Sequence, residues 1–116
     1  MNKENILRKR NDTARLLRLN EMGKRNAIYT GENEGDEHAK TKFEVCRALT
    51  KLKKEFYTEG VFKNGMRCDV LDLDDGCAIE IMDSEEAESI EFKKQNYPCR
   101  IVTIKAGEKF KEEMIG

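Results

Sequence analysis

The sequence predicts a single α/β domain: a helix, a three-strand antiparallel meander, a second helix and a fourth strand in a mixed sheet, with an extra basic helix in front. Three observations predict it. Two hairpin signals, Asn64-Gly65 and Asp74-Asp75-Gly76, separate three short runs of β-forming residues. Apolar residues at helical spacing precede and follow that meander. The chain has 116 residues, enough for one core and too few for two.

Residues 3–22 read as a helix, with Ile6, Leu7, Leu16, Leu17 and Leu19 apolar and arginines over much of the rest. Asn11-Asp12-Thr13 offers a start for a shorter helix over 13–22, and Gly23 offers a stop. The stretch TGENEGD at 30–36 is the best linker. It divides a basic helical extension, 1–30, from a body, 31–116. Asp36 is placed to cap a helix reaching about Lys54, with Phe43, Cys46, Leu49 and Leu52 on one stripe that Val45 and Ala48 widen. Strands follow at 55–62, 67–73 and 77–82. Ser84 can cap the next helix, which Pro98 cannot continue. CRIVTI at 99–104 is the most apolar run and reads as a strand buried on both faces. The crossover helix makes it parallel to the third strand. A short terminal helix is expected over 107–115.

Charged residues make up 39% of the chain, yet the apolar residues gather into runs, which disordered chains lack. No stretch approaches the roughly 20 apolar residues that span a bilayer. The first twenty residues have no apolar segment of the secretory kind. Cys46, Cys68, Cys77 and Cys99 form no C-x-x-C pair, and each sits in or beside an apolar run. Buried reduced thiols are therefore expected, and with them a reducing, cytoplasmic setting. The net charge of −1 hides an asymmetry: residues 1–26 hold eight basic and three acidic residues. Arg8, Lys9, Arg10, Arg15, Arg18, Lys24 and Arg25 suit a polyanion, although a solvated helix face has the same composition.

Asp69 and Glu80 are out of place in their strands. Asp69 precedes Val70-Leu71, and Glu80 lies within Ala78-Ile79-Glu80-Ile81-Met82. A carboxylate inside an apolar strand is costly unless it is paired, exposed or holding a cation. The Asp-Gly hairpin brings both to one end of the sheet, where two carboxylates favour Mg²⁺ or Mn²⁺. Alternation that simply points both at solvent is the competing reading.

The segment Gly65-Met66-Arg67-Cys68-Asp69-Val70, the hairpin and Ala78-Ile79-Glu80-Ile81-Met82 resemble the core of the PD-(D/E)XK nuclease superfamily, as does the element order over 36–105. His38-x-x-x-Lys42, Glu59, Arg67-x-Asp69 and Glu80-x-Met82-x-Ser84 resemble its competence-protein-like and archaeal-resolvase-like members. The first 30 residues lie outside the resemblance. It implies a restriction-endonuclease-like fold and metal-dependent hydrolysis of phosphodiester bonds in DNA or RNA. Asp69 and Glu80 would hold Mg²⁺ or Mn²⁺, with Glu59 or Glu44 as a further ligand. His38 would face the scissile phosphate or a water, against the competing reading of a polar residue at a helix start, and Lys42 would share its helix face and contact nucleic acid. The partner implied is nucleic acid, DNA first, and no membrane; a homodimer is compatible with it. The family's usual lysine two residues after the second acid is Met82 here. Either Lys93 or Lys94 supplies the missing cation from the next helix, or the chain is a non-cleaving relative that binds nucleic acid or a protein.

Overall fold

The computed structural model describes residues 2–83 and 87–116. Helix α1 (Lys3–Ala14) leads to α2 (Asp36–Lys51), then β1 (Phe56–Val61), β2 (Arg67–Asp72), β3 (Cys77–Met82), α3 (Ala87–Asn96) and β4 (Arg100–Lys105). The four strands form one mixed sheet in the order β1-β2-β3-β4. The meander is antiparallel, and β4 pairs with β3 in parallel from Cys77↔Arg100 to Met82↔Lys105. Both glycines of the expected hairpins have positive φ, Gly65 at 93° and Gly76 at 68°. Among the described residues no helix is long and apolar enough to cross a membrane.

Each face of the sheet has its own core. Val45, Cys46 and Leu49 of α2 pack on Val70, Ile79, Ile81 and Ile104. Ala14 and Leu17 pack with Leu71, Ala78 and Tyr97 on the other face. All four cysteines are free, three of them buried, and burial pushes the Cys46 and Cys77 thiols up to about 12.

Several boundaries depart from the sequence pattern. Helix α1 ends at Ala14, not residue 22, because Leu17 is pulled into a β-bridge with Phe62 and Arg18 N–H donates to Val61 O at 2.8 Å. Gly35, not Asp36, is the N-cap of α2. Its C-terminus comes at Lys51: Lys54 N–H reaches Leu49 O and Lys53 N–H reaches Thr50 O, with Lys53 at φ 61°. That is a left-handed stop made without the glycine that usually signals it. Phe43 is 52% exposed, so the inward stripe of α2 is Thr41, Lys42, Val45, Cys46 and Leu49. Strand β4 is an edge strand with only Ile104 fully buried. The terminal helix is one 3₁₀ turn, Glu112–Met114. The expected cap Ser84 lies outside the described residues.

Helix α1 and the segment after it are tied by charge to the ends of the strands. Arg10 places Nε and Nη2 2.8 and 3.0 Å from the two oxygens of Asp74, and Arg25 Nη1 lies 3.0 Å from Glu55. At the same end, fully buried Asp72 accepts the N–H groups of Asp74 and Asp75. Burial, and then its hydrogen bond with the Asp75 carboxylate, raise Asp72 to about 7. Such a carboxyl holds its proton more tightly folded than unfolded. Its contribution to stability is complete below the ordinary carboxylate range and is lost as pH rises through about 7. Asp72→Asn keeps an acceptor for the turn and a donor for Asp75. The variant should melt higher than wild type at pH 8 and lose the part of the decline that Asp72 causes between pH 4 and 7.

Candidate active site

The β2–β3 ladder pairs Val70↔Ile79, Leu71↔Ala78 and Asp72↔Cys77, then stops. Beyond it, side chains take over. Glu80 Oε2 accepts the Asp69 N–H at 2.8 Å, and Asp69 Oδ2 accepts the Ile81 N–H at 2.8 Å. Each carboxylate thus occupies a place on the opposite strand's backbone. Alternation breaks in the same row. Val70 packs in the core under α2, whereas Cys68, two residues back, packs in the opposite core. On β1, Glu59 takes φ 54°, and Tyr57 and Phe62 share one core although they are five apart. A bulge of this kind re-aims side chains beside a site.

Glu80 has a side-chain exposure of 3%, and its Oε1 lies 2.8 Å from the Tyr97 hydroxyl and 3.2 Å from Lys93 Nζ. Burial and then the Asp69 charge raise its pKa, against the pull of the Asp69 N–H, Tyr97 and Lys93. Tyr97, also 2.7 Å from Arg67 O, is pushed far above its ordinary value by burial and by Glu80. Asp69 is raised by burial, with Ile81 N–H and His38 opposing and Glu59 adding to the rise.

His38 stands between two acids, Nδ1 2.5 Å from Glu34 Oε1 and Nε2 3.5 Å from Asp69 Oδ2. One turn along α2, Lys42 is fully buried. Its Nζ lies 2.7 Å from Glu34 and 3.2 Å from Glu59 and donates to Tyr29 O at 2.9 Å. Despite burial, those two carboxylates raise its pKa. Despite burial of its own, Glu34 is lowered by Lys42, Gly31 N–H and His38. The result is a polar cleft of about 420 Å³ lined by Glu34, His38, Glu59, Arg67, Asp69 and Asp83.

The structure therefore brings His38, Glu59 and Asp69 to one cleft; Glu80 and Lys93 do not line it, and Glu80 meets Tyr97, which packs in the other core, and reaches Asp69 through the Asp69 N–H. Lys94 is exposed. Glu44 lines a different groove, with Phe43 and Arg47, because it lies on the outer side of α2. Lys42 is no surface contact for nucleic acid, since burial spends its charge on Glu34 and Glu59. Of the N-terminal cations, Arg10 and Arg25 bind Asp74 and Glu55, Arg15 binds Asp12 and Arg18 binds Glu21. Arg8, Lys9 and Lys24 are exposed. Among the described residues, no three or more His, Cys, Asp or Glu side chains converge as a metal-holding group. Glu34 and Tyr97 were missed in the sequence, although each has a signal: Glu34-His38-Lys42 and Lys93-Tyr97 both run at four-residue spacing.

No family model, curated protein or solved structure matches this chain.

Proposed function

We propose that the cleft hydrolyses phosphodiester bonds of nucleic acid, DNA first, as a divergent PD-(D/E)XK-type nuclease with a restriction-endonuclease-like core. The observation that carries this reading is Lys93 Nζ, 3.2 Å from Glu80 Oε1. It supplies a cation beside the second acid where Met82 leaves the strand without one. The element order, with β4 parallel to β3, supports the same reading.

Such enzymes work with Mg²⁺ or Mn²⁺, and the donor chemistry here fits a hard cation. Asp69 and Glu59 line one polar cleft, and burial leaves the Asp69 charge under-compensated, a state that a cation relieves. Mg²⁺ is held through one or two carboxylates, with water and substrate oxygens completing its shell, so a cluster of three protein ligands is not required. Asp69, with Glu59 beside it, would hold the ion, and Glu80 would join by giving up a protein partner. The bound ion would lower the pKa of a water and neutralise charge on the phosphate.

The chain's own groups have separate tasks. Lys93 opposes the rise that burial and Asp69 impose on the Glu80 pKa, and it would offer positive charge to the developing phosphorane. His38 orients Asp69 and stands at the cleft, where it can meet a phosphate oxygen or a water. Lys42 fixes Glu34 and Glu59. A second reading, a binding protein that has lost cleavage, is favoured by Met82 itself and by the protein donors that already occupy both Glu80 oxygens.

The test is cleavage of single-stranded, duplex and branched DNA and of RNA, with Mg²⁺, Mn²⁺ or a chelator. Wild type should cleave only with metal, and Glu80→Ala should lose the activity by about a hundred-fold or more. Cleavage that survives Glu80→Ala sinks the assignment. A wild type that binds nucleic acid without cutting it selects the second reading.

A further inference from the structure

The cleft beside Asp69 does not end at Arg67. A second cleft of about 530 Å³ shares Gly31, Glu59 and Arg67 with it and continues past Tyr29, Thr58 and Val61. Two side chains along this path, Arg67 and Tyr29, stand out. Arg67, exposed at the first position of β2, is the sole lysine or arginine among the described residues that line the two clefts. Its guanidinium pairs with no acid among the described residues, in contrast to Lys42 and Lys93.

Tyr29 is 43% exposed and belongs to neither core. It is nevertheless held firmly. Its N–H donates to Thr58 Oγ1 at 2.9 Å, its carbonyl accepts from Lys42 Nζ at 2.9 Å, and its hydroxyl accepts the Lys24 N–H at 3.0 Å. Its ring lies so close to Gly23 that a Cβ there would stand 2.5 Å from a ring carbon. The same buried lysine therefore holds the backbone of Tyr29 and the Glu34 and Glu59 carboxylates of the neighbouring cleft. A held, exposed ring that shares a cleft with a guanidinium paired with no acid among the described residues is the combination that holds single-stranded nucleic acid, stacking for the base and charge for the phosphate.

We propose that the second cleft is a subsite for an unpaired nucleotide flanking the scissile phosphate, with Arg67 on its phosphate and Tyr29 against its base. The proposal rests on the nuclease reading and narrows it. Bases inside a duplex are already stacked on one another and offer no face to Tyr29. The substrate class is therefore a single strand or an unpaired end of DNA or RNA.

The experiment is fluorescence anisotropy in a chelator, so that binding is read without cleavage, with three probes: a thymidylate dodecamer, a uridylate dodecamer and a duplex of the same length. Tyr29→Ala should weaken single-strand binding roughly ten-fold or more and leave duplex binding nearly unchanged. Tyr29→Phe, which keeps the ring, should bind as wild type does. Arg67→Ala should reduce the salt slope of single-strand binding by about one phosphate's worth. Tighter thymidylate binding identifies DNA and tighter uridylate binding RNA, and either upholds the subsite. Equal losses on single strand and duplex, unchanged binding in Tyr29→Ala, or a Tyr29→Phe loss as large as the alanine loss would each overturn it. A protein that cleaves with these variants unaffected loses the subsite and keeps the nuclease reading. Ring-dependent single-strand binding without any cleavage does the reverse.

Discussion

Asp69→Asn should cut metal-dependent cleavage by about a thousand-fold while leaving the protein at least as stable near neutral pH. The two halves of this expectation have one cause. Asp69 Oδ2 accepts the Ile81 N–H, a bond that an asparagine carbonyl can keep. What asparagine removes is the charge, and burial and the Glu59 charge make that charge costly, which is why the Asp69 pKa is raised. A carboxyl raised in the folded state contributes stability below its ordinary pKa and loses it as pH rises through the folded value. Near neutrality the ionised form is the strained one, and the amide avoids it. A group kept at a cost to folding is one expected to serve function. Cleavage rates at saturating Mg²⁺, with melting curves at pH 7 and pH 5, measure both halves. A large fall in melting temperature at pH 7 would show that Asp69 is there for structure.

Lys42→Met should destabilise the protein by about 3–5 kcal/mol, the cost of breaking a buried ion pair by removing one partner. Lys42 is fully buried, and its ammonium serves Glu34, Glu59 and the Tyr29 carbonyl together. Methionine fills the space and leaves two carboxylates facing each other without a cation. Domains of this size have only about 5–15 kcal/mol in total, so the loss is a large share. Urea unfolding measures it. Adding Glu34→Gln to Lys42→Met should recover part of the loss, because one of the two stranded charges is gone. A single variant within 1 kcal/mol of wild type, on the order of an exposed pair, would mean that the cluster is solvated.

The sheet was legible because its signals are local. Asn64-Gly65 and Asp74-Asp75-Gly76 set the hairpins, and the meander and the parallel fourth strand follow from them. Asp69 and Glu80 stood out for the same reason, as charges in apolar strands whose register the hairpin fixes. The rest depended on where faces point. The pattern Phe43-Cys46-Leu49-Leu52 fits an inward stripe as well as Val45-Cys46-Leu49 does, and only the half-buried acids Glu34 and Glu59 reward turning Lys42 inward. The stop of α2 was hidden because Lys53, not glycine, takes the left-handed position. CRIVTI is apolar enough for a central strand, but no strand among the described residues pairs with its far side. Lys93 and Lys94 are equivalent in sequence, and the rotation of α3 alone distinguishes them: it turns Lys93 to Glu80 and Lys94 to the surface.

That distinction holds the central claim, that Lys93 replaces the strand lysine missing at Met82. The direct measurement is the single-turnover cleavage rate with Mg²⁺ for wild type, Lys93→Ala, Lys94→Ala, and Lys93→Ala combined with Met82→Lys. The account predicts a fall of about a hundred-fold in Lys93→Ala, little change in Lys94→Ala, and partial recovery when the lysine is returned to the strand at position 82, on the same side of β3 as Glu80. Lys93→Ala cleaving at the wild-type rate would contradict it.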